Sequence, residues 1–257
     1  MDGLELKAAL DGGLVETRYQ PIVRLDTGGL IGLEVLARLN HPRLGTILPE
    51  HFVPQLEDAG LAAELTERVA GSAFADISTA SIAPFDVTIG INLPLDVLLV
   101  PAVLARLDAQ RRAAGLRAAQ VVIELTESQP VTDLPVLRRA TERFRAAGYR
   151  ALIDDVAPSV PFVLELMDMA FSGLKLDKDL VQAIPHSTES RAFARRIIAL
   201  ASARGLTVTA EGVEDLATWR RMRDMGAHHA QGFFVAYPLA AADVPDWILH
   251  WHGAPVA

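Results

Sequence analysis

Short apolar segments rich in β-branched residues alternate along the chain with longer segments of helical period. At four of the boundaries a helical run ends on a glycine, at Gly115, Gly148, Gly205 and Gly226. A glycine is typical of the position just beyond a helix, where the backbone turns left-handed. Between these boundaries the pattern predicts eight strands, over residues 16–23, 30–38, 86–92, 120–126, 149–155, 173–177, 206–210 and 229–235. A short amphipathic helix is predicted before them, over 1–13.

Only residues 25–29 separate the first two predicted strands, and so short a gap suits a hairpin rather than a helical crossover. One strand should therefore run antiparallel. The later strands alternate with helices, which indicates a parallel sheet, and eight strands in 257 residues fit a closed barrel. The predicted fold class is α/β, a modified TIM-type (β/α)8 barrel with one antiparallel strand. No linker or repeat divides the chain, so we expect one domain over 1–257, with its motifs within about 17–240.

The composition is that of a folded protein. Hydrophobic residues make up 51% of the chain and charged residues 22%, which is enough apolar surface for a sizeable core. The absence of cysteine excludes disulfides, a thiol nucleophile and Cys-ligated zinc, and favours a reducing, cytoplasmic location. The net charge of −8 gives no reason to expect polymeric nucleic acid or a membrane surface as a partner. The most apolar stretch, 93–107, contains Asp96 and Arg106 and is too short for a membrane segment.

Polar side chains collect where the predicted strands end, which is where barrels of this type carry their chemistry. They are Asn92, Glu124, Glu127, Asp154, Asp155, Lys175, Glu211, Glu214 and Gln231, with Glu34 inside the second strand. A single acidic residue at a strand end is usually a solvated loop residue or a helix cap. Several strands that bring a carboxylate or carboxamide to one rim concentrate like charge, which a bound cation would offset.

The residue types indicate which cation would bind. Glu, Asp and Asn oxygens suit Mg²⁺ or Mn²⁺, and the seven histidines form no HExxH pattern, so zinc is not expected. The adjacent Asp154 and Asp155 can serve two ions, a recurrent device for attacking phosphodiesters. Lys175 at the same rim would orient water or neutralise phosphoryl oxygens. These residues predict metal-assisted hydrolysis of an anionic substrate, although enolase-like and aldolase-like barrels also gather acids and a lysine at this rim.

Seven motifs follow one another between Tyr19 and Leu239. They are YQPIVRLDTGGLIGLEVLARLNHP, GINLP, ELTES, the Asp154-Asp155 pair, LKLDKDLV, AEGVE and QGFFVAYPL. In their order and approximate spacing the chain resembles the EAL-domain cyclic di-GMP phosphodiesterases, with Glu34-Val35-Leu36 where the family has Glu-Ala-Leu. The resemblance implies the EAL barrel and the hydrolysis of cyclic di-GMP to linear pGpG.

The resemblance also implies roles for individual residues. Two ions, Mg²⁺ or Mn²⁺, would be bound, and Asp154 would bridge them. The metal ligands would be Glu34, Asn92, Glu124, Asp154, Asp155 and Glu211. The catalytic residues would be Lys175, which contacts the nucleophilic water, Glu211 and Glu34. Substrate would be bound by Gln20, Leu36, Arg38, Gln231 and Pro238, with Arg38 at a phosphate and Gln231 also supporting the metal site. Glu127 and Glu214 would anchor and support the site from outside it. A homodimer, and sensory or signalling domains outside this chain, are further expectations.

Two single residues and one four-residue segment depart from the family pattern. Val35 replaces alanine, Leu39 replaces tryptophan, and Val156-Ala157-Pro158-Ser159 stands where Phe-Gly-Thr-Gly is expected. Alanine and proline resist backbone conformations that glycine allows, so we expect this loop to fold differently. The resemblance implies that the loop lies beside the second metal and the dimer contact. The helix predicted next, over 161–169, is altered as well. The alternative is therefore a cyclic di-GMP receptor with weak or no turnover. A third hypothesis is a barrel that works only through protein contacts.

Overall fold

The chain folds around a sheet that closes into a barrel. A computed structural model describes residues 3–79, 81–126 and 133–253, and within these ranges the sheet has nine strands. The strands are β1 (Val15–Arg24), β2 (Leu30–His41), β3 (Gly45–Ile47), β4 (Ile89–Pro94), β5 (Val121–Thr126), β6 (Arg150–Val156), β7 (Gly173–Leu176), β8 (Thr207–Ala210) and β9 (His229–Ala230). Strands β1, β2 and β4 to β9 close the barrel, and β3 extends the sheet beyond β2.

The first strand runs against both of its neighbours. β1 pairs antiparallel with β2 on one side and with β9 on the other, and the second pairing closes the barrel. β2 and β4 to β9 run parallel to one another. The turn between β1 and β2 is tight, because Gly28 adopts a φ of 73° and its N–H donates to the Arg24 carbonyl at 2.9 Å. The predicted α/β class, a modified TIM-type barrel with one antiparallel strand, is confirmed.

Helices surround the barrel. Those in the described ranges are α1 (Gly3–Asp11), α2 (Pro49–Asp58), α3 (Ala62–Ile77), α4 (Leu95–Leu98), α5 (Pro101–Ala113), α6 (Leu134–Ala146), α7 (Val163–Met167), α8 (Lys178–Ala183), α9 (Thr188–Ala203), α10 (Leu216–Asp224) and α11 (Val244–His250). In α3, Leu65, Val69 and Ala73 recur every fourth residue, and this buried face packs against β1, β4 and α5. None of the described helices combines the length and the apolar character that crossing a membrane requires.

The glycine signal located the helix ends correctly. Gly115, Gly148, Gly205 and Gly226 follow α5, α6, α9 and α10, and their φ angles lie between 70° and 91°. The backbone is therefore left-handed at each of them, as expected for the residue beyond a helix.

Three details differ from the sequence prediction. The last strand, predicted over 229–235, is only His229–Ala230, because the Gly232 carbonyl accepts the N–H groups of Val235 and Ala236 and turns the chain away. β3 was not predicted, since three residues at a sheet edge carry no readable alternation. The helix predicted over 161–169 is only α7, because Phe162 has a left-handed φ of 57° immediately before it.

Candidate metal centre

Eight polar side chains meet inside the barrel near the carboxyl ends of its parallel strands. They are Gln20, Glu34, Asn92, Glu124, Asp154, Lys175, Glu211 and Gln231. Strand register brings them to one level, since Gln20 lies opposite Glu34 and Asn92 lies beside Glu124. The cluster occupies the end of the barrel at which TIM-type enzymes build their active sites.

Lys175 stands at the centre of this cluster and is only 1% exposed. Its Nζ lies 2.6 Å from Glu211 Oε1, 3.0 Å from Glu124 Oε2, and 3.1 Å from both Glu34 Oε2 and Asp154 Oδ1. An ammonium group has three N–H donors, so it cannot satisfy four carboxylates at once. The site therefore holds more negative charge than its own lysine balances.

Glu34 is held in place by the amide side chains of Asn92 on β4 and of Gln231 just after β9. Asn92 Nδ2 donates to Glu34 Oε1 at 2.9 Å, and Gln231 Nε2 donates to Glu34 Oε2. Gln231 Nε2 also lies 3.2 Å from Gln20 Oε1, and Gln20 Nε2 donates to the Ala236 carbonyl at 3.2 Å. These contacts fix the Glu34 carboxylate and connect it to the chain that follows β9.

Two overlapping groups of carboxylates are close enough to hold metal ions. Oxygens of Glu34, Glu124 and Asp154 lie within 4.8 Å of one another, and so do oxygens of Asp154, Asp155 and Glu211. Consecutive strand residues normally face opposite sides of a sheet. Asp154 and Asp155 escape that alternation, because Asp155 has a φ of 51° and the β6–β7 register shifts between Ile153 and Val156. Asp154 belongs to both groups, where a carboxylate would bridge two ions.

Burial and the charges of neighbouring groups together shift the pKa values of Glu124, Glu34 and Lys175. Burial raises the pKa of Glu124 to about 8, and the negative charges of Glu34 and Asp154 add to this although Lys175 opposes it. Burial also acts to raise the pKa of Glu34, but the Lys175 charge and the hydrogen bond from Gln231 outweigh it, and the net shift is downward. Burial acts to lower the pKa of Lys175, but the surrounding carboxylates, Asp154 first, hold it well above its usual value. Lys175 is therefore an ammonium at neutral pH.

The cluster fits a hard divalent cation. Glu124 Oε1 is buried and has no hydrogen-bond partner among the described residues, and Asp154 Oδ1 lies near Lys175 but outside hydrogen-bonding geometry. A buried carboxylate oxygen without a donor is costly unless a cation satisfies it. The donors are carboxylate and carboxamide oxygens, which Mg²⁺ and Mn²⁺ accept.

A groove of about 480 Å³ adjoins the metal centre and runs between β2, α2 and α3. Asn92 and Asp155 belong to both the centre and the groove wall, and Leu36 on β2 also lines it. The helices add an apolar wall that sequence reasoning missed, formed by Val53, Pro54, Leu65 and Val69. The sequence signals this wall through the amphipathic pattern of α2. The pattern was missed because site residues were sought at strand ends, and α2 is a helix.

The remaining predicted site residues lie around this centre. Arg38 on β2 is partly buried and donates to the Ala37 carbonyl at 2.7 Å. Pro238 is partly buried and precedes Leu239, whose N–H and carbonyl exchange hydrogen bonds of 2.8 Å with Tyr19 beside Gln20. Glu214 is exposed and accepts a hydrogen bond from Gln182 at 3.0 Å, outside the cluster. Glu127 lies outside the described residues.

The structure thus combines a barrel that has one reversed strand with a buried lysine among carboxylates able to hold metal ions. The family model for the EAL domain matches residues 4–238. The chain belongs to the EAL domain family.

Similar proteins extend this assignment. The cyclic di-GMP phosphodiesterase RocR of Pseudomonas aeruginosa is 32% identical over 242 residues, which cover 93% of this chain and 61% of RocR. The solved PaMucR phosphodiesterase in complex with c-di-GMP is 28% identical with a TM-score of 0.86, covering 94% of this chain and 98% of that one. The EAL enzyme Bd1971, solved with cAMP and cyclic-di-GMP bound, is 25% identical with a TM-score of 0.89, covering 96% of this chain and 68% of that one. The chain thus spans about three fifths of the curated relative RocR.

Proposed function

We propose that this chain is a metal-dependent phosphodiesterase that opens cyclic di-GMP to linear pGpG. The observation that carries the proposal is the Lys175 cluster, because the five carboxylates that the family resemblance implies as metal ligands lie close together around it. The names of the relatives support the substrate, since RocR is a cyclic di-GMP phosphodiesterase and PaMucR was solved with c-di-GMP. The proposal places one EAL barrel domain over 1–257.

The metal ligands follow from the two carboxylate groups. Glu34, Asn92, Glu124 and Asp154 would hold one ion, and Asp154, Asp155 and Glu211 would hold a second. Two Mg²⁺ or Mn²⁺ ions would supply activation of the attacking water and neutralisation of phosphoryl charge.

The protein side chains position the reaction around these ligands. Lys175 stays protonated because its pKa lies well above the usual value, so it acts as a fixed positive charge and donor and not as a base. Asn92 and Gln231 hold Glu34 in one orientation through their amide N–H groups. Glu211, whose Oε1 lies 2.6 Å from Lys175 Nζ, would be the carboxylate that accepts a proton as water attacks phosphorus.

The groove suits one guanosine half of the substrate. Leu36, Val53 and Leu65 offer an apolar wall to a purine ring, next to the metal ligands Asn92 and Asp155. Arg38 would pair with a phosphate, and substrate contacts are also assigned to Gln20, Gln231 and Pro238. Glu127 and Glu214 keep their assigned supporting role outside the cluster.

A second candidate function is a cyclic di-GMP receptor without appreciable turnover. The loop after Asp155 favours it, because Val156 is fully buried and pairs with Leu176, and a turn from the Ala157 carbonyl to the Val160 N–H follows. A loop built this way lacks the glycines of the family pattern beside the second ion. The receptor would bind the nucleotide and leave it intact.

One experiment separates the two functions. Purified protein is incubated with cyclic di-GMP in Mg²⁺, Mn²⁺ or EDTA, and pGpG is followed by chromatography. We expect product only with metal, and a loss of at least about 100-fold in Asp154→Asn, because a bridging ligand supplies several kcal/mol of transition-state stabilisation. Asp224→Asn is the matched control, because its exposed carboxylate lies on α10 away from the site. Calorimetric binding without product in either metal would establish the receptor and overturn the enzyme.

A homodimer forms part of the same proposal. Phe162, in the loop next to the expected dimer contact, is 51% exposed, and a partner would cover this apolar side chain. Light scattering should then report twice the chain mass, and a strict monomer at high concentration would contradict the dimer. Sensory or signalling domains outside this chain and a cytoplasmic location also belong to the proposal.

A further inference from the structure

The barrel contains a second cavity at the end opposite the metal centre. It lies at the amino ends of the parallel strands, has a volume of about 340 Å³, and reaches upward to the side chain of Glu124. Its wall includes Arg24, Thr88, Arg150, Ser172, Thr207 and His229. A volume of this size is within the range of pockets that hold small organic ligands. We call it the lower cavity.

Glycines in the barrel wall leave room for this cavity. TIM-type barrels normally fill their interior with layers of bulky branched side chains. Here a Cβ on Gly32 would lie 2.3 Å from Thr88 Oγ1, and a Cβ on Gly173 would lie 2.3 Å from Thr207 Oγ1. The small residues therefore make space for hydroxyl side chains instead of packing the interior. The cavity wall combines apolar side chains such as Ile22 and Leu152 with these hydroxyl groups, to which water or a polar ligand can form hydrogen bonds.

The mouth of the lower cavity is positively charged. Arg24 pairs with Asp26 at 3.1 Å, whereas Arg150 donates to the Ala119 carbonyl and forms no ion pair with any described residue. His229 lies opposite Arg24 in the sheet register. Burial lowers the pKa of His229 to about 4, and the positive charges of His228, Arg24 and Arg150 contribute. The imidazole is thus neutral at pH 7 and surrounded by more cationic than anionic groups.

Two hydroxyl groups in the wall of the lower cavity offer only hydrogen-bond acceptors to a ligand. Thr88 Oγ1 donates its proton to the Ile31 carbonyl at 2.9 Å, and Ser172 Oγ donates its proton to the Ala151 carbonyl at 3.0 Å. Each hydroxyl has one proton, so both oxygens present only lone pairs to a ligand. A ligand that matches the cavity carries an anionic head for the arginines and hydroxyl donors for these oxygens.

We propose that the lower cavity binds a small hydroxylated phosphomonoester, with its phosphate on Arg24 and Arg150 and its hydroxyl groups on Thr88 and Ser172. Arginine is the side chain best suited to the phosphate, because its planar fork donates two parallel hydrogen bonds to neighbouring oxygens. This site goes beyond the proposed phosphodiesterase and does not rest on it. The two sites open at opposite ends of the same barrel, with Glu124 between them.

Binding is tested with defined probes in EDTA, so that no metal ion at the metal centre can attract phosphate. Ribose 5-phosphate, inorganic phosphate and ribose are titrated by calorimetry at constant ionic strength. We expect saturable binding of ribose 5-phosphate, weaker binding of phosphate and none of ribose. Arg150→Gln should weaken ribose 5-phosphate binding about tenfold or more, since a charged hydrogen bond is lost.

Three further variants make the result specific. Arg220→Gln removes the same charge from an exposed position on α10 and should bind as the unmodified protein does. Asp154→Asn, in the metal centre, should also bind ribose 5-phosphate as the unmodified protein does. Thr88→Val should weaken ribose 5-phosphate and leave inorganic phosphate unchanged. The proposal is overturned by an absence of saturable binding, by equal losses in Arg150→Gln and Arg220→Gln, by a loss in Asp154→Asn, or by inorganic phosphate binding as tightly as ribose 5-phosphate.

Discussion

A methyl group on Gly90 would lie 2.0 Å from Oε1 of Glu124 on the neighbouring strand. Gly90 and Glu124 both face the barrel interior, so that contact would be relieved by a shift of the Glu124 carboxylate away from its position. Glu124 therefore occupies its position in the metal centre because its neighbour has no side chain.

Gly90→Ala should displace the Glu124 carboxylate and lower the affinity for Mn²⁺ by about 10–100-fold, the usual cost of disturbing groups that orient metal ligands. Calorimetric titration with Mn²⁺ measures this loss, and circular dichroism checks the fold. Gly71→Ala is the matched control, because its Cβ would meet only the flexible Gln110 side chain at 3.4 Å. Equal Mn²⁺ affinities in the two variants would show that Gly90 does not position Glu124.

Lys175→Met should destabilise the metal-free protein. The substitution leaves several buried carboxylates without their ammonium, and breaking a buried ion pair costs about 3–5 kcal/mol in the free energy of unfolding. Urea denaturation in EDTA at pH 7.5 measures the change, and added Mn²⁺ should restore more stability to this variant than to the unmodified protein. Lys178→Met, at an exposed position on α8, should change little. A small effect of Lys175→Met in EDTA would contradict the charge argument.

His229 should make the protein less stable in mild acid. Its folded pKa is about 4 and its ordinary value is 6.5, so between these values the unfolded chain binds a proton that the folded chain excludes. This contribution is fully present above pH 6.5 and is lost as the pH falls toward 4. Between pH 7 and pH 5 it should cost about 1–2 kcal/mol.

Other groups titrate in the same range, so the comparison is made between variants. The fall in unfolding free energy from pH 7 to pH 5 should be smaller in His229→Gln than in the unmodified protein by that amount. His186→Gln, at an exposed position, should leave the fall unchanged. Identical pH dependence in His229→Gln and the unmodified protein would refute the assignment.

Tyr19→Phe should reduce stability without altering metal binding. The Tyr19 hydroxyl donates to Asp76 Oδ2 at 2.5 Å, and its loss leaves that carboxylate short of a donor at a cost of about 1–3 kcal/mol. Thermal or urea denaturation measures the cost, and Mn²⁺ titration tests for specificity. Tyr237→Phe is the control, because Tyr237 is 67% exposed. A loss of Mn²⁺ affinity in Tyr19→Phe would mean that β1 is less rigid than its pairing indicates.

The sequence predicted most of the fold because its signals were local. Glycines after helices such as Gly148 mark boundaries through their own backbone preference, and the short gap at 25–29 allows only a hairpin. The polar strand ends were visible for the same reason, since each carboxylate follows an apolar run. Burial, which raises the pKa of Glu124, depends on the whole barrel and leaves no trace in neighbouring residues.

The features that were missed depend on contacts distant in sequence. The apolar wall formed by Val53 and Leu65 becomes part of the site only when α2 and α3 lie against β2. The lower cavity requires Gly32 and Gly173 to face hydroxyl side chains on other strands. The last strand was overestimated because the hydrogen bonds that turn the chain at Gly232 are not encoded in its apolar pattern.

The pairing of β1 with β9 joins the first strand of the barrel in chain order to the last. Gln231, which follows β9, is the last residue of the Lys175 cluster in chain order. Its amide donates a hydrogen bond to Glu34, which lies 197 residues earlier in the chain. A nascent chain that ends before Gln231 has Lys175 and its carboxylates but no closed wall around them. The site can therefore be completed only after Gln231 has been synthesised, because the barrel wall and the amide that holds Glu34 are both missing until then.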